Sequence, residues 1–417
     1  MKRTLLCLAT SAVLTVAAAG CGGDDEETAS TGPSAAATVT SYDKSVAGVV
    51  EAADAFLATL NDEQKAEVQL ELTAETATSW SNLPCGSTCR PGIEFGDLDA
   101  NQLAAAKSVL KTALGAQTGS GYERVEQLLL ADDYLADAQG GGGTGSSGGP
   151  GGGPGGGMSG GPPAGMSGGP GGPGGGMMSG GPGGGMMSGG PGGGDMSGGG
   201  YGSELYFLAF LGDPSVTGTW QLDFGGHHLA VHMTYKSGKV TGASPFFVGV
   251  EPTSWTGDGG TTHTPLKDMR DAMLAMTGGL SAAEQAKAKL GQTFTDVLVG
   301  PQEDGQFPAA KQGLAAGSLT GEQKDLVLAA IKPWVAGADD ATATELMAAY
   351  EEELDETYVA WSGTTGLDTH ADYVRIDGPS VWIEFVCQNG VVIQNQIHYH
   401  TVYRDHTRDY GGEFSFS

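Results

Sequence analysis

The sequence predicts an α+β domain in which helices pack on an antiparallel sheet, and three observations support this fold class. Short β-rich runs with turns between them fill 204–250 and 373–405, helical patterns precede and separate these runs, and glycine-containing turns join neighbouring strands. Strand clusters separated by helical blocks are typical of an α+β fold, because a βαβ fold would alternate single strands with helices.

The first twenty residues look like an export signal that is not part of this fold. An apolar run over residues 5–19 follows a basic start, and it is too short to span a bilayer comfortably. Cys21 follows the small residues 18–20 directly. This arrangement resembles a bacterial lipoprotein signal and predicts that Cys21 is lipidated, which would anchor the chain to a membrane of the cell envelope, facing the periplasm or the exterior. A plain signal peptide with an incidental cysteine is the alternative.

Residues 21–42 lack hydrophobic periodicity and are predicted to be a flexible tether, so the domain covers 43–417. Its helices begin with a periodic apolar pattern from Lys44. Four further helix starts share one design, a leucine, a capping residue, and Glu or Gln three positions after the cap: LNDEQ (60–64), LDANQ (98–102), LSAAE (280–284) and LTGEQ (319–323). Such boxes are common and do not by themselves indicate a duplication. Helices are predicted over 265–275, 281–298, 320–334 and 340–360.

Residues 139–200 consist almost entirely of Gly, Pro, Ser and Met, and they predict a flexible, disordered insertion within the domain. Seven of the thirteen methionines lie in it: Met158, Met166, Met177, Met178, Met186, Met187 and Met196. Thioether ligands favour Cu(I), so this tract is a candidate copper-binding segment. A low-complexity repeat in which methionine is merely tolerated is the alternative.

The strands are predicted over 204–211, 218–224, 227–235 and 239–250, and the C-terminal segment is predicted to form two strands around a turn at 388–390. Export predicts an oxidising compartment, so Cys85 and Cys89 are expected to form a local disulfide, while Cys387 is expected to be a buried thiol.

The formal net charge of −29, with only 20 scattered basic residues, argues against nucleic-acid binding. No HExxH, GxSxG or P-loop pattern indicates a reaction, and no substrate can be named from the sequence.

Histidines are the candidate metal ligands. Strand alternation predicts that His398 and His400 share one face about 6.6 Å apart, so that their rings can converge on one ion. His228 and His232 would be about 13 Å apart on a strand, too far to share an ion whose nitrogen ligands lie at about 2 Å.

These spacings predict a site of His398, His400 and either His228 or His227, with His232 dispensable. The ion would be a divalent transition metal such as zinc, copper or iron, and its occupancy should fall near pH 6 because ligating imidazoles must be neutral. Two alternatives remain: a hydrogen-bonded polar face, and a metal-free catalytic pair in which Asp405 or Asp409 orients an imidazole. A metalloenzyme and a non-catalytic envelope protein are both compatible with a metal.

Two segments, GTWQLDFGGHHLAVHMTYKSGKVTGASPFFVGVEP and RIDGPSVWIEFVCQNGVVIQNQIHYHTVYRDHTRDYG, resemble the DUF3500 family of uncharacterised, mainly bacterial proteins. AADAFLATLNDEQ and YVAWSG resemble it too, so the likeness covers most of 45–415 outside the Gly-Met tract. The resemblance implies that Gly-His-His-Leu (226–229), His-x-His (398–400), Arg404-Asp405 and Asp409-Tyr-Gly are the family's recurrent elements. Arg404, Asp405 and Asp409 are thereby candidates to support the ligands. It implies no activity.

Overall fold

A computed structural model of the chain describes residues 43–140 and 200–416. The predicted signal (1–20), Cys21, the tether (21–42) and the seven methionines of the insertion lie outside the described residues. Within these two described ranges, no helix is long and apolar enough to cross a membrane.

The α-helices of the described chain are α1 (Val46–Leu57), α2 (Asp62–Val68), α3 (Ala74–Ala77), α4 (Ala100–Ala113), α5 (Gly121–Gly140), α6 (Lys267–Gly278), α7 (Ala282–Ala288), α8 (Gly321–Val335) and α9 (Asp340–Glu352). The strands are β1 (Gln69–Leu70), β2 (Ile93–Glu94), β3 (Phe207–Leu211), β4 (Thr219–Gly226), β5 (Leu229–Lys236), β6 (Lys239–Gly242), β7 (Phe246–Val250), β8 (Trp255–Thr256), β9 (Thr262–His263), β10 (Leu314–Ala315), β11 (Tyr358–Ser362), β12 (Tyr373–Asp377), β13 (Val381–Asn389) and β14 (Ile397–Asp405).

The predicted α+β class is confirmed. Twelve strands form one sheet with the order β1-β3-β4-β5-β7-β14-β13-β12-β11-β10, to which β2 and β6 add as side pairings on β3 and β5. The pairings are antiparallel except for β1 with β3. β8 and β9 form a separate two-stranded sheet.

Several predicted boundaries are wrong, each for a local reason. The helix predicted over 281–298 ends at Ala288, because Lys289 leaves it to form a bridge with Trp361 of β11. The helix predicted over 340–360 ends at Glu352, since Tyr358 begins a strand that pairs with β12.

The strand predicted over 239–250 is two strands, β6 and β7, because Pro245 has no N–H for the ladder between them. The C-terminal segment forms three strands where two were predicted, with the loop 390–396 between β13 and β14. Helix α5 runs through Gly140, so it covers the first two residues of the predicted insertion.

The element order repeats, and the four capping boxes lie at equivalent places in the two copies. Elements α1, α2, β2, α4, α5, β3, β4, β5 and β7 are followed by α6, α7, β10, α8, α9, β11, β12, β13 and β14 in the same succession. In the sheet order, β3-β4-β5-β7 runs towards β14-β13-β12-β11, so the two half-sheets meet where β7 pairs with β14.

Matching hydrogen bonds support this internal repeat. All four boxes are reciprocal. Gln102 Nε2 donates to the carbonyl of Thr59 and to Gln64, and Gln323 Nε2 donates in the same way to the carbonyl of Gly279 and to Glu284. The boxes, which are too short to indicate a duplication from the sequence, therefore belong to one.

The two faces of the sheet differ in chemistry. Side chains of Leu229, Val231 and Met233 on β5 join the apolar core together with residues of the long helices. Full burial of one such side chain stabilises the fold by about 1.5–3 kcal/mol. The opposite face carries buried polar residues, among them His232, Glu384 and Arg404. Irregular segments cover this face, and they hold it through specific hydrogen bonds.

The segment after α7 is attached to this polar face by Glu384. The Glu384 carboxylate is fully buried and accepts hydrogen bonds from the backbone N–H groups of Leu298 and Val299, from the Tyr373 hydroxyl and from the Trp382 indole. Arg404 donates to the carbonyls of Val299 and Gly300 in the same segment. Because every donor around Glu384 has a partner, this carboxylate fixes where the segment lies.

We expect Glu384→Gln to lower the free energy of unfolding by about 3 kcal/mol, because an amide NH₂ would face two donors that now reach a carboxylate oxygen. Urea unfolding monitored by circular dichroism checks this. The matched change Glu303→Gln, at an exposed position of the same segment, should shift stability by less than about 0.5 kcal/mol. Equal, small losses in both variants would contradict the role given to Glu384.

Candidate metal centre

His227 and His228 form the two-residue turn between β4 and β5, whose last ladder pair is Gly226 with Leu229. The prediction that both histidines lie on a strand is therefore wrong. His228 has φ 62°, a left-handed conformation that two-residue turns usually give to Gly or Asn. A bulky side chain in this conformation costs on the order of 1 kcal/mol. The turn thus holds an imidazole at a position where the backbone favours a smaller residue.

His398 and His400 lie on one face of β14, as the alternation predicted. Their Nε2 atoms are 3.3 Å apart, and both side chains are buried, at 2% and 5% exposure. β14 pairs with β7 in a register that puts Gly249 opposite His400. The His-x-His pair therefore faces the backbone of a neighbouring strand at a residue without a side chain.

His228 completes a group of three. Its ring centroid is 5.5 Å from that of His398 and 5.0 Å from that of His400. One ligand atom from each of the three residues lies within 4.8 Å of the other two. Gly249 makes this possible, because a Cβ atom there would lie 2.8 Å from Cδ2 of His228 and 3.0 Å from Cδ2 of His400.

Two carboxylates orient His400 of the trio and the adjacent His227. Asp296 Oδ1 lies 3.0 Å from Nδ1 of His400, and Asp132 Oδ1 lies 2.8 Å from Nδ1 of His227. A carboxylate on Nδ1 assigns the proton to that nitrogen and leaves the Nε2 lone pair free, as in many protein metal sites. For His400, this lone pair points towards His398.

His227 lies beside the trio and is held separately. Its ring stacks on His228 with centroids 3.6 Å apart, and Tyr201 packs against it edge-on at 4.6 Å. Asp132, His227 and His228 also form a second group whose ligand atoms lie within 4.8 Å of one another. Because the Asp132 carboxylate already binds Nδ1 of His227, this group is best described as a support for His228.

Burial keeps two rings of the trio unprotonated at neutral pH. It lowers the pKa of His398 to about 3, and the neighbouring His400 acts in the same direction. Burial also lowers the pKa of His228 well below its ordinary value, with His227, His400 and His398 adding to the effect. At neutral pH the rings of His228 and His398 therefore carry lone pairs and no charge, which is the state that binds a metal ion.

The distances fit a metal ion. Two nitrogens bound to one tetrahedral ion at about 2.0–2.1 Å lie about 3.3–3.4 Å apart, which matches the separation of His398 and His400. The same separation also fits a hydrogen bond from one ring to the other. Three imidazole nitrogens suit zinc, copper, iron or nickel, and disfavour magnesium and calcium, which prefer oxygen ligands.

His232 does not belong to the trio. Its Nδ1 lies 2.7 Å from the Pro245 carbonyl, and its ring packs edge-on against Trp80 and Tyr410. Among the described residues, it is part of neither group of candidate ligands.

The predicted support from Arg404, Asp405 and Asp409 needs correction. Asp409 accepts from Arg404. Asp405 accepts from Tyr350, Thr407 and Arg408. The carboxylates that contact imidazoles of the cluster are instead Asp132, which contacts His227, and Asp296, which contacts His400.

Other predicted site residues have these positions. Cys85 and Cys89 are joined in a disulfide with Cα atoms 6.0 Å apart. Cys387 is a buried free thiol, as predicted.

The DUF3500 family model, described as a protein of unknown function, matches residues 42–412. The chain belongs to the DUF3500 family. The resemblance inferred from its sequence segments is thereby confirmed. No curated protein and no solved structure matches the chain. Membership of the family therefore indicates no activity.

Three residues around this candidate site were missed by sequence reasoning. Asp132 had a usable signal, because it lies at helical spacing from the buried Leu128 and Leu135 on α5, where a charged residue is unusual. Asp296 and Gly249 had none. Asp296 reaches His400 from a segment without regular structure, and the importance of Gly249 depends on the register of two strands far apart in the chain.

We expect the metal-free protein to lose stability as the pH falls from about 6.5 towards 4. Burial lowers the pKa of His232 to about 4, against an opposing effect of the Pro245 carbonyl. The unfolded chain therefore takes up a proton below about pH 6.5 that the folded chain excludes, and the stability present above that pH is lost towards pH 4.

The variant His232→Asn keeps an N–H group but does not titrate. As the pH falls, the unfolding free energy of this variant should decrease less steeply than that of the wild type. The two slopes should differ by up to about 1.4 kcal/mol per pH unit. Urea unfolding from pH 7 to 4.5 with a chelator present measures both slopes. His370→Asn, at an exposed position, is the control and should keep the wild-type slope. An unchanged slope in the His232 variant would show that this histidine is not excluded from protonation.

Proposed function

We propose that this protein is an exported lipoprotein that binds one divalent transition-metal ion through His228, His398 and His400. The observation that supports this best is the convergence of three buried imidazoles, two of them with Nε2 atoms 3.3 Å apart. Three buried imidazoles that converge can satisfy one another's ring nitrogens only in part, which is costly. A bound cation offsets that cost.

The surroundings favour retention of the ion. The three ligands are at most 5% exposed, and Asp296 orients His400 from outside the trio. Three nitrogen ligands leave further coordination positions on the ion. If a water or substrate occupied one of them, the protein could be a metalloenzyme with hydrolytic or oxidative activity. A binding protein without catalysis would add a fourth ligand from the chain and close the site. Because the three histidines are buried, a substrate would have little access to the ion, which favours a binding protein over an enzyme.

We expect single changes of His228, His398 or His400 to alanine to abolish stoichiometric zinc binding, because each removes one of three nitrogens. Asp296→Asn should weaken binding by about 10- to 100-fold, since it loses only the support of His400. His232→Asn should bind like the wild type. Titration calorimetry and metal content of the purified full chain measure these effects.

A second variant tests the geometry without removing a ligand. Gly249→Ala places a methyl group against the rings of His228 and His400, so zinc affinity should fall while the fold persists. Gly291→Ala, where an added Cβ meets nothing within 4 Å, is the control. Full zinc binding by all the ligand variants and by Gly249→Ala would refute the three-histidine site.

The depressed pKa values also change the expected pH dependence. Protons compete with a metal only where the imidazoles titrate, and burial lowers the pKa of His398 to about 3. Proton competition at His398 should therefore begin only well below the pH of about 6 expected from an ordinary histidine.

Copper is a second candidate, favoured by where the Met-rich tract joins the domain. α5, which carries Asp132, ends at Gly140, and Tyr201, which contacts His227, follows the tract on its other side. Residues 141–199 therefore begin and end on segments that contact the histidine cluster. A tract of thioether groups there would raise the local concentration of Cu(I) beside the imidazoles.

We expect a chain with all seven tract methionines changed to leucine to bind less Cu(I) than the wild type, with unchanged zinc affinity and unchanged thermal stability. Cu(I) binding measured by competition with a chromogenic chelator, at matched protein concentration, checks this. Deleting 141–199 should have the same effect. Equal Cu(I) uptake by all three chains would refute the copper proposal and leave the histidine site untouched.

The membrane anchor rests on Ala18-Ala19-Gly20-Cys21. Mass spectrometry of the mature protein should find an acylated N-terminal cysteine, and the protein should fractionate with membranes. Cys21→Ser should abolish acylation, because serine has no thiol for the lipid. An unacylated mature terminus in the wild type would contradict the anchor.

A further inference from the structure

The loop that carries Cys85 and Cys89 contains a buried cation beside its disulfide. Arg90 is 7% exposed. Its Nη1 atom lies 3.7 Å from Sγ of Cys85 and 3.6 Å from Sγ of Cys89. Among the described residues, no carboxylate forms an ion pair with it, and its nearest polar contacts are sulfurs and carbonyls. A buried guanidinium without a carboxylate in direct contact is costly, so this arrangement needs an explanation.

The position of Arg90 does not depend on the disulfide. Its Nη2 atom donates to the carbonyls of Ser81, Leu83 and Gly226. Two of these carbonyls belong to the segment just before the disulfide, and the third belongs to β4 in the sheet. These carbonyls fix the guanidinium beside the two sulfurs through contacts that do not involve the S–S bond.

The disulfide itself is accessible. Both cysteines are partly exposed, Ser87 and Thr88 between them are exposed, and Leu83 two residues before is 60% exposed. The four-residue separation makes this a local link between neighbours. Closing so small a loop stabilises a fold less than closing a long one. A structural role for this link is therefore small, whereas its chemical environment is specialised.

We propose that Cys85 and Cys89 form a redox-active pair that exchanges with external dithiols, and that Arg90 is the residue that stabilises the thiolates. A buried positive charge within contact of both sulfurs favours the anionic form of each. A thiolate released against a guanidinium is also a better leaving group, which accelerates exchange.

The reaction balances as a two-electron transfer. A thiolate of the dithiol bonds to one sulfur of the pair, the Cys85–Cys89 bond breaks, and the other sulfur leaves as a thiolate beside Arg90. The second thiolate of the reductant then displaces the remaining protein sulfur. The dithiol is oxidised to its disulfide, and Cys85 and Cys89 are reduced, with two protons shared between the thiols and water. An external disulfide restores the pair by the reverse exchange and is itself reduced to two thiols.

The test is the pH dependence of alkylation of the reduced full chain, read separately for Cys85 and Cys89 by peptide mass spectrometry. Dithiothreitol serves as the dithiol and iodoacetamide as the alkylating agent. We expect at least one of the two thiols to have an apparent pKa below about 7.5, compared with about 8.5 for an ordinary cysteine.

Arg90→Gln should slow alkylation at pH 6.5 by about tenfold, which corresponds to a rise of one pKa unit. At pH 10, where both thiols are fully ionised, the variant and the wild type should react equally. A difference that persisted at pH 10 would show that the substitution changed the exposure of the thiols and not their pKa. Lys287→Gln makes the same charge change at a distant exposed residue and should behave like the wild type. Arg90→Gln should also slow reduction by dithiothreitol.

Thiol pKa values near 8.5 in the wild type would overturn the proposal, and so would identical profiles for wild type and Arg90→Gln. If Arg90→Gln does not fold, the wild-type profile alone decides. None of these results depends on whether the histidine trio binds a metal.

Discussion

The pairing of β7 with β14 is the contact on which both the fold and the histidine trio depend. It joins the two half-sheets of the internal repeat into one sheet, with Gly249 opposite His400. The turn from the first half, with His228, then reaches the strand from the second half, with His398 and His400. A candidate ligand set built from both halves forms only when these strands align.

The repeat makes the site asymmetric. On α5 of the first half, Asp132 contacts the turn histidine His227. Directly after α9 of the second half, Glu353 accepts from the backbone N–H and hydroxyl of Ser380, in the turn between β12 and β13. Each half thus uses an acidic residue on or next to its helix to hold a strand-to-strand turn, and only the first half places imidazoles in that turn. The same turn carries a structural contact in the second copy and a candidate ligand, His228, in the first.

The trio has features that an ordinary apolar core lacks and that a candidate binding site would explain. His228 adopts a left-handed backbone conformation, and burial lowers its pKa and that of His398. The backbone conformation costs stability at any pH, and the lowered pKa values cost stability below about pH 6.5. Natural sequences retain such costs mostly where function requires them.

Strand alternation was sufficient to predict that His398 and His400 share one face and lie close together, and the strand spacing predicted that His232 does not share an ion with His228. It failed at His227 and His228, because a two-residue turn without glycine has no clear sequence signal. Asp296 and Gly249 could not be predicted, since their roles arise from the register between distant segments. The repeat was hidden for a related reason: four-residue capping boxes recur in unrelated helices, and only matching hydrogen bonds of Gln102 and Gln323 to distant carbonyls identify them as copies.

X-ray absorption at the zinc edge, on the full chain loaded with one equivalent of zinc, tests the central claim most directly. The account predicts at least three nitrogen neighbours at about 2.0–2.1 Å with the outer-shell scattering of imidazole rings, and loss of that signal in His398→Ala. A first shell of oxygen atoms alone, or a spectrum unchanged by His398→Ala, would contradict it.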